Sequence, residues 1–369
     1  MKRVLINMPS QHAKKYSGVS KMIFSLLEQL IQNDDFAYVL RSSWRKSDLP
    51  RALQSPRLEV ITIARPKILI LSVLLEMFSM PLFCRRHKID YLLNADPYGA
   101  PLGAKARAVI VHDLYFRTLA GQTPLRGRLT SELIFRLMLW GNRRVVSVSN
   151  ATKLELQRAF PRSRARIEVI HSAPTLRDGG GAPGRAPVAV PARYVLIVGN
   201  ATYNKNFPVV PQAMARQPAA LADVSLVHVG HDDGDLLAAL SPEEKQRFSL
   251  TRLKGLTDDE LSAVYGQALC LCVPSLAEGF CLPILEAQLC GCPVLCADVS
   301  AMPEIAGNAA ILFDPHDVED LSGKLARLAG DPDLRARLVA AGYENARQYS
   351  WDRAAARYED VFRMDGSAR

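Results

Sequence analysis

No stretch of the chain holds the roughly 20 consecutive apolar residues that a membrane-spanning helix needs. The longest apolar run, ILILSVLLEMFSMPLF at 68–83, is interrupted by Glu76 and falls short. Lys67 precedes the run, and Arg85, Arg86 and Lys88 follow it. It fits a core helix with solvated ends or a helix lying among lipid headgroups, and its length and the acid favour core burial. The opening MKRVLINM has a basic start but too little apolar length for a secretory leader, and it reads as a strand from Arg3. No cysteine pair has the CxxC spacing of a zinc site. Instead Cys270, Cys272, Cys281, Cys290, Cys292 and Cys296 share one apolar region, as small buried hydrophobes would. Free thiols suit a reducing compartment, so the expected location is the cytoplasm. Internal repeats are absent.

At 369 residues, with 49% hydrophobic and 22% charged side chains, the chain is globular in composition and longer than one domain usually grows. Its net charge of +9 hides an asymmetry: residues 1–172 carry 28 Lys and Arg against 12 Asp and Glu, whereas 173–369 carry 18 against 25. That is +16 followed by −7. A front half so basic calls for an anionic partner, whether acidic lipid, phosphorylated substrate or nucleic acid. No aromatic–basic stacking motif or nucleic-acid module accompanies the charge, so nucleic acid is not the expected partner.

Residues 173–192, rich in Gly, Pro and Ala and without apolar periodicity, read as a linker. On both sides of it short apolar runs alternate with amphipathic segments, the pattern of parallel sheets covered by helices. The front half shows strands at RVLIN, RLEVITI, DYLLNA, AVIVHD, RRVVSVS and RIEVIHS, with helices near 19–32, 68–87, 128–140 and 150–159. The rear half shows strands at YVLIVGN, VSLVHVG, RFSLTRLKG, LCLCVPS, CPVLCAD and AAILFDP. The expected architecture is α/β: two doubly wound, Rossmann-like domains facing across a cleft, 1–172 for an acceptor and 193–349 for a nucleotide-bearing donor, with a terminal helix at 350–369 crossing back to the first. Ligands of such sheets bind beyond the carboxyl ends of the strands.

The segment PSLAEGFCLPILEA places Glu278 and Glu286 on either side of a glycine and a proline. In one continuous helix they would stand about 12 Å apart and form no pair. Gly279 permits a tight turn and Pro283 suits a first helical position, so a helix is expected from Pro283, with Glu278 in the preceding loop. The N–H groups of roughly residues 280–284 then lie open at the positive end of the helix dipole, an anion site. Two nearby acids are better used to accept hydrogen bonds from hydroxyls. Phosphate flanked by hydroxyls describes a sugar nucleotide. HDDGD at 231–235 contains a DxD pattern, but it follows a strand, and Asp232 or Asp233 reads as a turn cap rather than a metal ligand.

The stretch EGFCLPILEAQLCGCPVLCADVSAMPEIAGNAAILFDP resembles the EX7E region of glycosyltransferase family 4, the group 1 retaining transferases of GT-B fold. VIVHDLYFRT, SVSNATKLEL, EVIHSAP, VGNATYNKNF and YSWDRAAARYEDVFR follow in the family's order and spacing, so the resemblance covers nearly the whole chain. It implies that Glu286 binds the donor ribose and that Glu278 contacts the donor sugar. It also implies that Phe280, Cys281 and Leu282, beside Gly279, offer backbone N–H groups to sugar and diphosphate. Lys205 stands where the family neutralises the leaving diphosphate, with Gly199 and Asn200 beside it. His112 corresponds to the family's histidine near the reacting sugar, and Gly18 to its glycine-rich N-terminal loop. Two departures stand out. Many relatives carry arginine where this chain has Asn200 or Asn204, which puts more weight on Lys205 and the helix dipole, or on Lys14, Lys15 or Lys21 reaching across. Cys281 replaces the second glycine of EGFGLP and is expected to narrow the sugar pocket.

The implied activity is retaining transfer of a hexose from a sugar nucleotide, without a metal or other cofactor. The favoured donor is GDP-mannose, with UDP-sugars or dTDP-rhamnose as alternatives. The expected acceptor is a glycan or polyprenyl-diphosphate-linked sugar in bacterial cell-surface polysaccharide synthesis, met at the anionic inner face of the cytoplasmic membrane. Rival readings are a nucleotide-sugar epimerase and a non-catalytic basic binding protein.

Overall fold

The computed structural model describes residues 1–9, 17–64, 68–176, 189–216, 219–231 and 235–366. Lys14, Lys15, Asp232, Asp233 and positions 177–188 of the expected linker lie outside the described residues. The chain divides into two compact units, Met1–Ala173 with Ser350–Arg369, and Pro174–Tyr349.

In the first unit the strands are β1 (Lys2–Met8), β2 (Phe36–Ser42), β3 (Leu58–Thr62), β4 (Tyr91–Asn94), β5 (Ala106–Val111), β6 (Arg144–Ser147) and β7 (Arg166–Val169). They form one parallel sheet in the order β3-β2-β1-β4-β5-β6-β7. The order reverses between β1 and β4, which makes that the switch point of a doubly wound sheet. Continuous apolar runs such as Val4, Leu5 and Ile6 are fully buried, as strands covered on both faces require. The helices are α1 (Gly18–Leu30), α2 (Leu69–Arg86), α3 (Tyr115–Thr118), α4 (Leu125–Gly141) and α5 (Asn150–Ala159). Ser17 opens α1 with a reciprocal capping box to Ser20. Strand β2 was not expected from the sequence; Arg41 interrupts the apolar run of FAYVLRS, and the polar Asn33, Asp34 and Asp35 before it read as loop.

Helix α2 departs from the core burial expected of it. It buries Ser72, Val73, Glu76, Met80 and Cys84 and leaves Leu71, Leu75, Phe78 and Leu82 exposed. The acid turns inward because it has partners there. Arg41 on β2 donates to Glu76 at 2.8 Å and to Asn7 Oδ1 at 2.9 Å, and Asn7 Nδ2 donates to Asn94 Oδ1 at 3.2 Å. A buried, paired carboxylate therefore displaces the leucines to the outside.

In the second unit β8 (Tyr194–Val198), α6 (Val209–Arg216), β9 (Ser225–Val229), α7 (Pro242–Arg247), β10 (Leu250–Leu253), α8 (Asp258–Gln267), β11 (Cys270–Val273) and α9 (Leu282–Leu289) lead to β12 (Val294–Ala297), α10 (Met302–Ala306), β13 (Ala310–Phe313), α11 (Val318–Gly330) and α12 (Pro332–Ala346). The sheet is again parallel, in the order β10-β9-β8-β11-β12-β13, with its switch point between β8 and β11. Cys270, Cys272, Cys292 and Cys296 pack here as free, buried thiols, and burial pushes those of Cys270 and Cys296 up to about 12.

The terminal helix α13 (Trp351–Gly366) belongs to the first unit. Phe362 stacks edge-on against Phe36 at 5.8 Å, Asn33 donates to buried Glu359 at 2.8 Å, and Arg363 pairs with Asp35 at 2.8 Å. The expected linker begins as anchored chain: Ala173 and Leu176 are buried, and Thr175 is tied to a side chain of α9.

Candidate functional site

Two loops leave the carboxyl ends of β8 and β11, the strands that flank the second unit's switch point. The first carries Gly199, Asn200 and Lys205, and the second carries Glu278 to Leu282. The loops are bonded to each other, because the Leu276 N–H donates to the Asn204 carbonyl at 2.7 Å. Gly199 has φ +127°, a backbone state that side chains rarely adopt, and a Cβ there would meet Lys205 Cε at 3.5 Å. Its carbonyl lies 2.8 Å from His228 Nε2, which fixes the turn.

Lys205 Nζ donates to Glu278 Oε1 at 2.7 Å, and Ser275 Oγ donates to the same oxygen at 2.7 Å. The pair is well shielded, with 19% of the lysine side chain and 7% of the glutamate exposed. Burial pulls the ammonium pKa down, but the Glu278 charge and hydrogen bond outweigh it, so the net direction is upward and Lys205 is cationic at neutral pH. The backbone of Glu278 is held as well. Its carbonyl accepts from Ser300 Oγ at 2.6 Å and from the Ala301 N–H at 3.3 Å.

Helix α9 begins at Leu282, one residue before the expected Pro283, which occupies the first turn. Cys281 is its N-cap with φ 74° and ψ 68°. A cysteine therefore occupies a left-handed position that favours glycine, at a cost of roughly 1–2 kcal/mol. The side chain is buried, and burial, then the Glu278 charge, pushes the thiol well up, so it stays protonated. The expected opening of N–H groups over 280–284 is narrower than the sequence suggests. Pro283 has none, and the Ile284 N–H donates to the Cys281 carbonyl at 3.2 Å. The N–H groups of Cys281 and Leu282 have no partner among the described residues.

Glu286 lies on α9, buried, and two hydroxyls reach it. Thr175 Oγ1 donates to Oε1 at 2.6 Å and Tyr265 OH to Oε2 at 3.3 Å. Burial, then the Glu286 charge, holds the Tyr265 phenol well above its ordinary range, so it remains a donor. A carboxylate has about four acceptor positions, so these two donors do not exhaust it. Thr175, Tyr265, Ser275 and Ser300 escaped the sequence reading. Thr175 falls in a stretch read as linker and Tyr265 looks like core packing, whereas Ser275, three residues before Glu278, gave a weak signal.

His112 and Gly18 belong to the first unit. His112 follows β5, and its Nε2 lies 2.7 Å from the Ala95 carbonyl just beyond β4, a contact that favours the Nε2–H tautomer. Gly18 opens α1, and a Cβ there would meet nothing within 4 Å, so packing does not demand a glycine. Asn200 Oδ1 accepts from the His231 N–H at 3.3 Å, in the loop after β9, and Asn204 Oδ1 accepts from Thr202 at 2.7 Å within its own loop, so both asparagines are engaged. Asp235, at the end of HDDGD, accepts from the Leu237 N–H at 3.0 Å and so caps a turn. Among the described residues, no three His, Cys, Asp or Glu side chains gather as a metal site would need, and no helix is long and apolar enough to cross a membrane.

A sequence family described as glycosyl transferases group 1 matches residues 186–345, and one described as glycosyltransferase family 4 matches residues 16–173. Over 107 residues the chain is 36% identical to O-antigen chain mannosyltransferase B of Escherichia coli, covering 29% of this chain and 28% of that relative. The match thus spans under a third of that curated relative. Among solved structures, sucrose-phosphate synthase from Thermosynechococcus elongatus superposes with a TM-score of 0.82 at 16% identity, over 100% of both chains. Anabaena HepE in complex with UDP superposes with a TM-score of 0.72 at 16% identity, over 99% of this chain and 100% of its own. Both likenesses are of fold, the two-domain GT-B arrangement of parallel α/β sheets.

Proposed function

The chain belongs to the group 1, family 4 glycosyltransferases, and from that premise we propose that it moves a hexose from a sugar nucleotide to a glycan or lipid-linked acceptor. The observation that carries the reading is the shielded Lys205–Glu278 pair at a switch point, beside the first turn of α9 and the hydroxyl-held Glu286. In the proposed reaction the anomeric C–O bond to the diphosphate breaks and a C–O bond to the acceptor oxygen forms on the same face. The acceptor proton passes to a departing phosphate oxygen. Charge builds on the diphosphate as the bond breaks, and Lys205 with the α9 N-terminus meets it, so no metal is assigned a role. Glu278 aligns Lys205 in the unliganded protein and accepts from sugar hydroxyls when the donor enters. Glu286 takes the ribose hydroxyls, and His112 contacts the reacting sugar.

GDP-mannose is the donor proposed first, on the strength of the mannosyltransferase relative. A UDP-sugar is the second reading, because a structure of the same fold is described in complex with UDP. The acceptor is assigned to the anionic cytoplasmic face of a membrane, given the +16 charge of residues 1–172. Thermal-shift measurement against GDP-mannose, UDP-glucose, dTDP-rhamnose and a CMP-sugar tests the donor, since only a ligand of the native state raises the melting point. A rise with GDP-mannose is expected. No rise with any of the four would overturn the reading.

A further inference from the structure

Most large hydrophobic side chains left exposed in this protein sit on two neighbouring helices of the first unit. Apart from Met1, Leu154 and Tyr203, those described lie on α2 with its N-cap Ile68, or on α4. The helices share one core cluster, in which Val73 and Leu69 of α2 meet Ile134, Phe135 and Met138 of α4. On α2, Leu71, Leu75, Phe78 and Leu82 fall within an arc of roughly 60° at 100° per residue, opposite buried Val73 and Met80. On α4, Leu125, Leu129, Leu133, Arg136 and Trp140 fall within roughly 80°. Phe78 is 75% exposed, Leu82 71% and Trp140 70%. A helix that turns its leucines outward while burying an ion pair is the reverse of an ordinary surface helix.

Basic residues frame this apolar face. Arg85 and Arg86 close α2, and Arg126 and Arg128 lie in the first turn of α4. At the far end of α4 a pocket of about 910 Å³ is lined by Arg136, Trp140, Arg143, Phe160, Arg162 and Arg164, among others. Arg136 is paired to Glu132 at 2.9 Å, but Arg143, Arg162 and Arg164 form no ion pair among the described residues. Unpaired guanidiniums beside an exposed Trp140 match a phosphate with acyl chains attached, because each guanidinium forks onto phosphate oxygens while the indole covers hydrocarbon.

We propose that the α2–α4 face is a docking surface for an anionic phospholipid bilayer, with the Arg143, Arg162 and Arg164 pocket taking a lipid headgroup phosphate. The leucine stripes enter the headgroup boundary, and the arginines hold the anionic surface around them. The proposal deepens the membrane side of the function proposed above and rests on that reading only for its purpose. The pair assigned to the donor diphosphate and sugar, Lys205 and Glu278, lies in the second unit, whereas this face belongs to the first.

Flotation of the full chain with vesicles tests it, using phosphatidylcholine alone and phosphatidylcholine mixed with phosphatidylglycerol in equal parts. The protein is expected to float with the mixed vesicles and not with the neutral ones. R143S/R162S/R164S should lower partitioning about a hundredfold, at on the order of fivefold per basic residue. F78S/L82S should lower it at least tenfold. Both sets are solvent-exposed, and unchanged melting points verify that the variants fold. R51S/R57S, on the same unit but away from the face, should float like the parent. Equal flotation of all variants, or none by the parent, overturns the proposal. So does a light-scattering dimer that F78S/L82S dissociates, because a second copy would then cover the face. A donor-induced thermal shift, measured without lipid, separates the two readings. Shift without flotation refutes the surface alone, and flotation without shift refutes the transferase reading alone.

Discussion

Replacing Lys205 by methionine keeps the side chain out to its Cε and removes the ammonium group, leaving Glu278 buried while Ser275 still donates to it. Removing one partner of a buried ion pair costs about 3–5 kcal/mol. Lys205 retains 19% exposure and Ser275 still serves the carboxylate, so the cost here sits lower, at about 2–3 kcal/mol. For a unit spanning Pro174–Tyr349, each kcal/mol shifts the melting point by about 2–4 °C, which gives a fall of about 4–12 °C for K205M. K205M/E278Q should recover about 1–2 kcal/mol, because no charge is then left buried alone. Because the pKa of Lys205 is raised in the fold, its contribution is fully present below the ordinary lysine range and is lost only as pH rises through the folded value. The gap between parent and K205M should therefore be flat from about pH 6 to about pH 9 and narrow above about pH 10. Urea unfolding of the parent, both single variants and the double variant, read at several pH values, measures all of this. A double variant no more stable than K205M, or a gap that closes by about pH 8, would refute the buried-pair reasoning. In turnover, K205M should lose on the order of 10²–10³ in kcat, as removal of one preorganised group facing a developing oxyanion does.

E286A should abolish the donor-induced thermal shift and also cost about 1–3 kcal/mol, since it strands the buried Tyr265 phenol, whereas Y265F should keep the shift. H112A should leave donor binding unchanged and lower kcat on the order of a hundredfold; an equal loss in both would place the ring in donor binding instead. C281G relieves a left-handed φ of 74° worth roughly 1–2 kcal/mol, but gives up a buried side chain and adds glycine's unfolded-state freedom. The terms offset, and urea unfolding should find stability within about 1 kcal/mol of the parent.

Periodicity carried much of the architecture. Six strand segments of the rear half coincide with β8 to β13, and helices expected near 68–87 and 150–159 match α2 and α5 within a residue. Buried parallel strands and amphipathic helices write their period directly into the chain. Strand β2 escaped because it follows the polar Asn33, Asp34 and Asp35 and Arg41 breaks its apolar run, a charge that only its partners in the fold account for. In the site, Glu278 and Glu286 could be picked out because charges and glycines amid apolar runs are conspicuous, whereas Lys205 was singled out only by the resemblance of VGNATYNKNF to the family. Their partners could not, since a threonine in a Gly/Pro-rich stretch and a tyrosine in a helix look the same whether or not they hold a carboxylate.

The sequence by itself determined the two α/β sheets, the charge split between the halves, and that Glu278 lies in a strand-end loop with Glu286 on the helix after it, because those follow from local period and composition. Only tertiary structure decided that Lys205 closes on Glu278, that Cys281 sits in a glycine's backbone state, and that α2 turns its leucines out. Each of those depends on a partner distant in sequence, such as Arg41 for Glu76 or Asn204 for Leu276. Such partners lie far apart along the chain, and a linear pattern carries no record of their meeting.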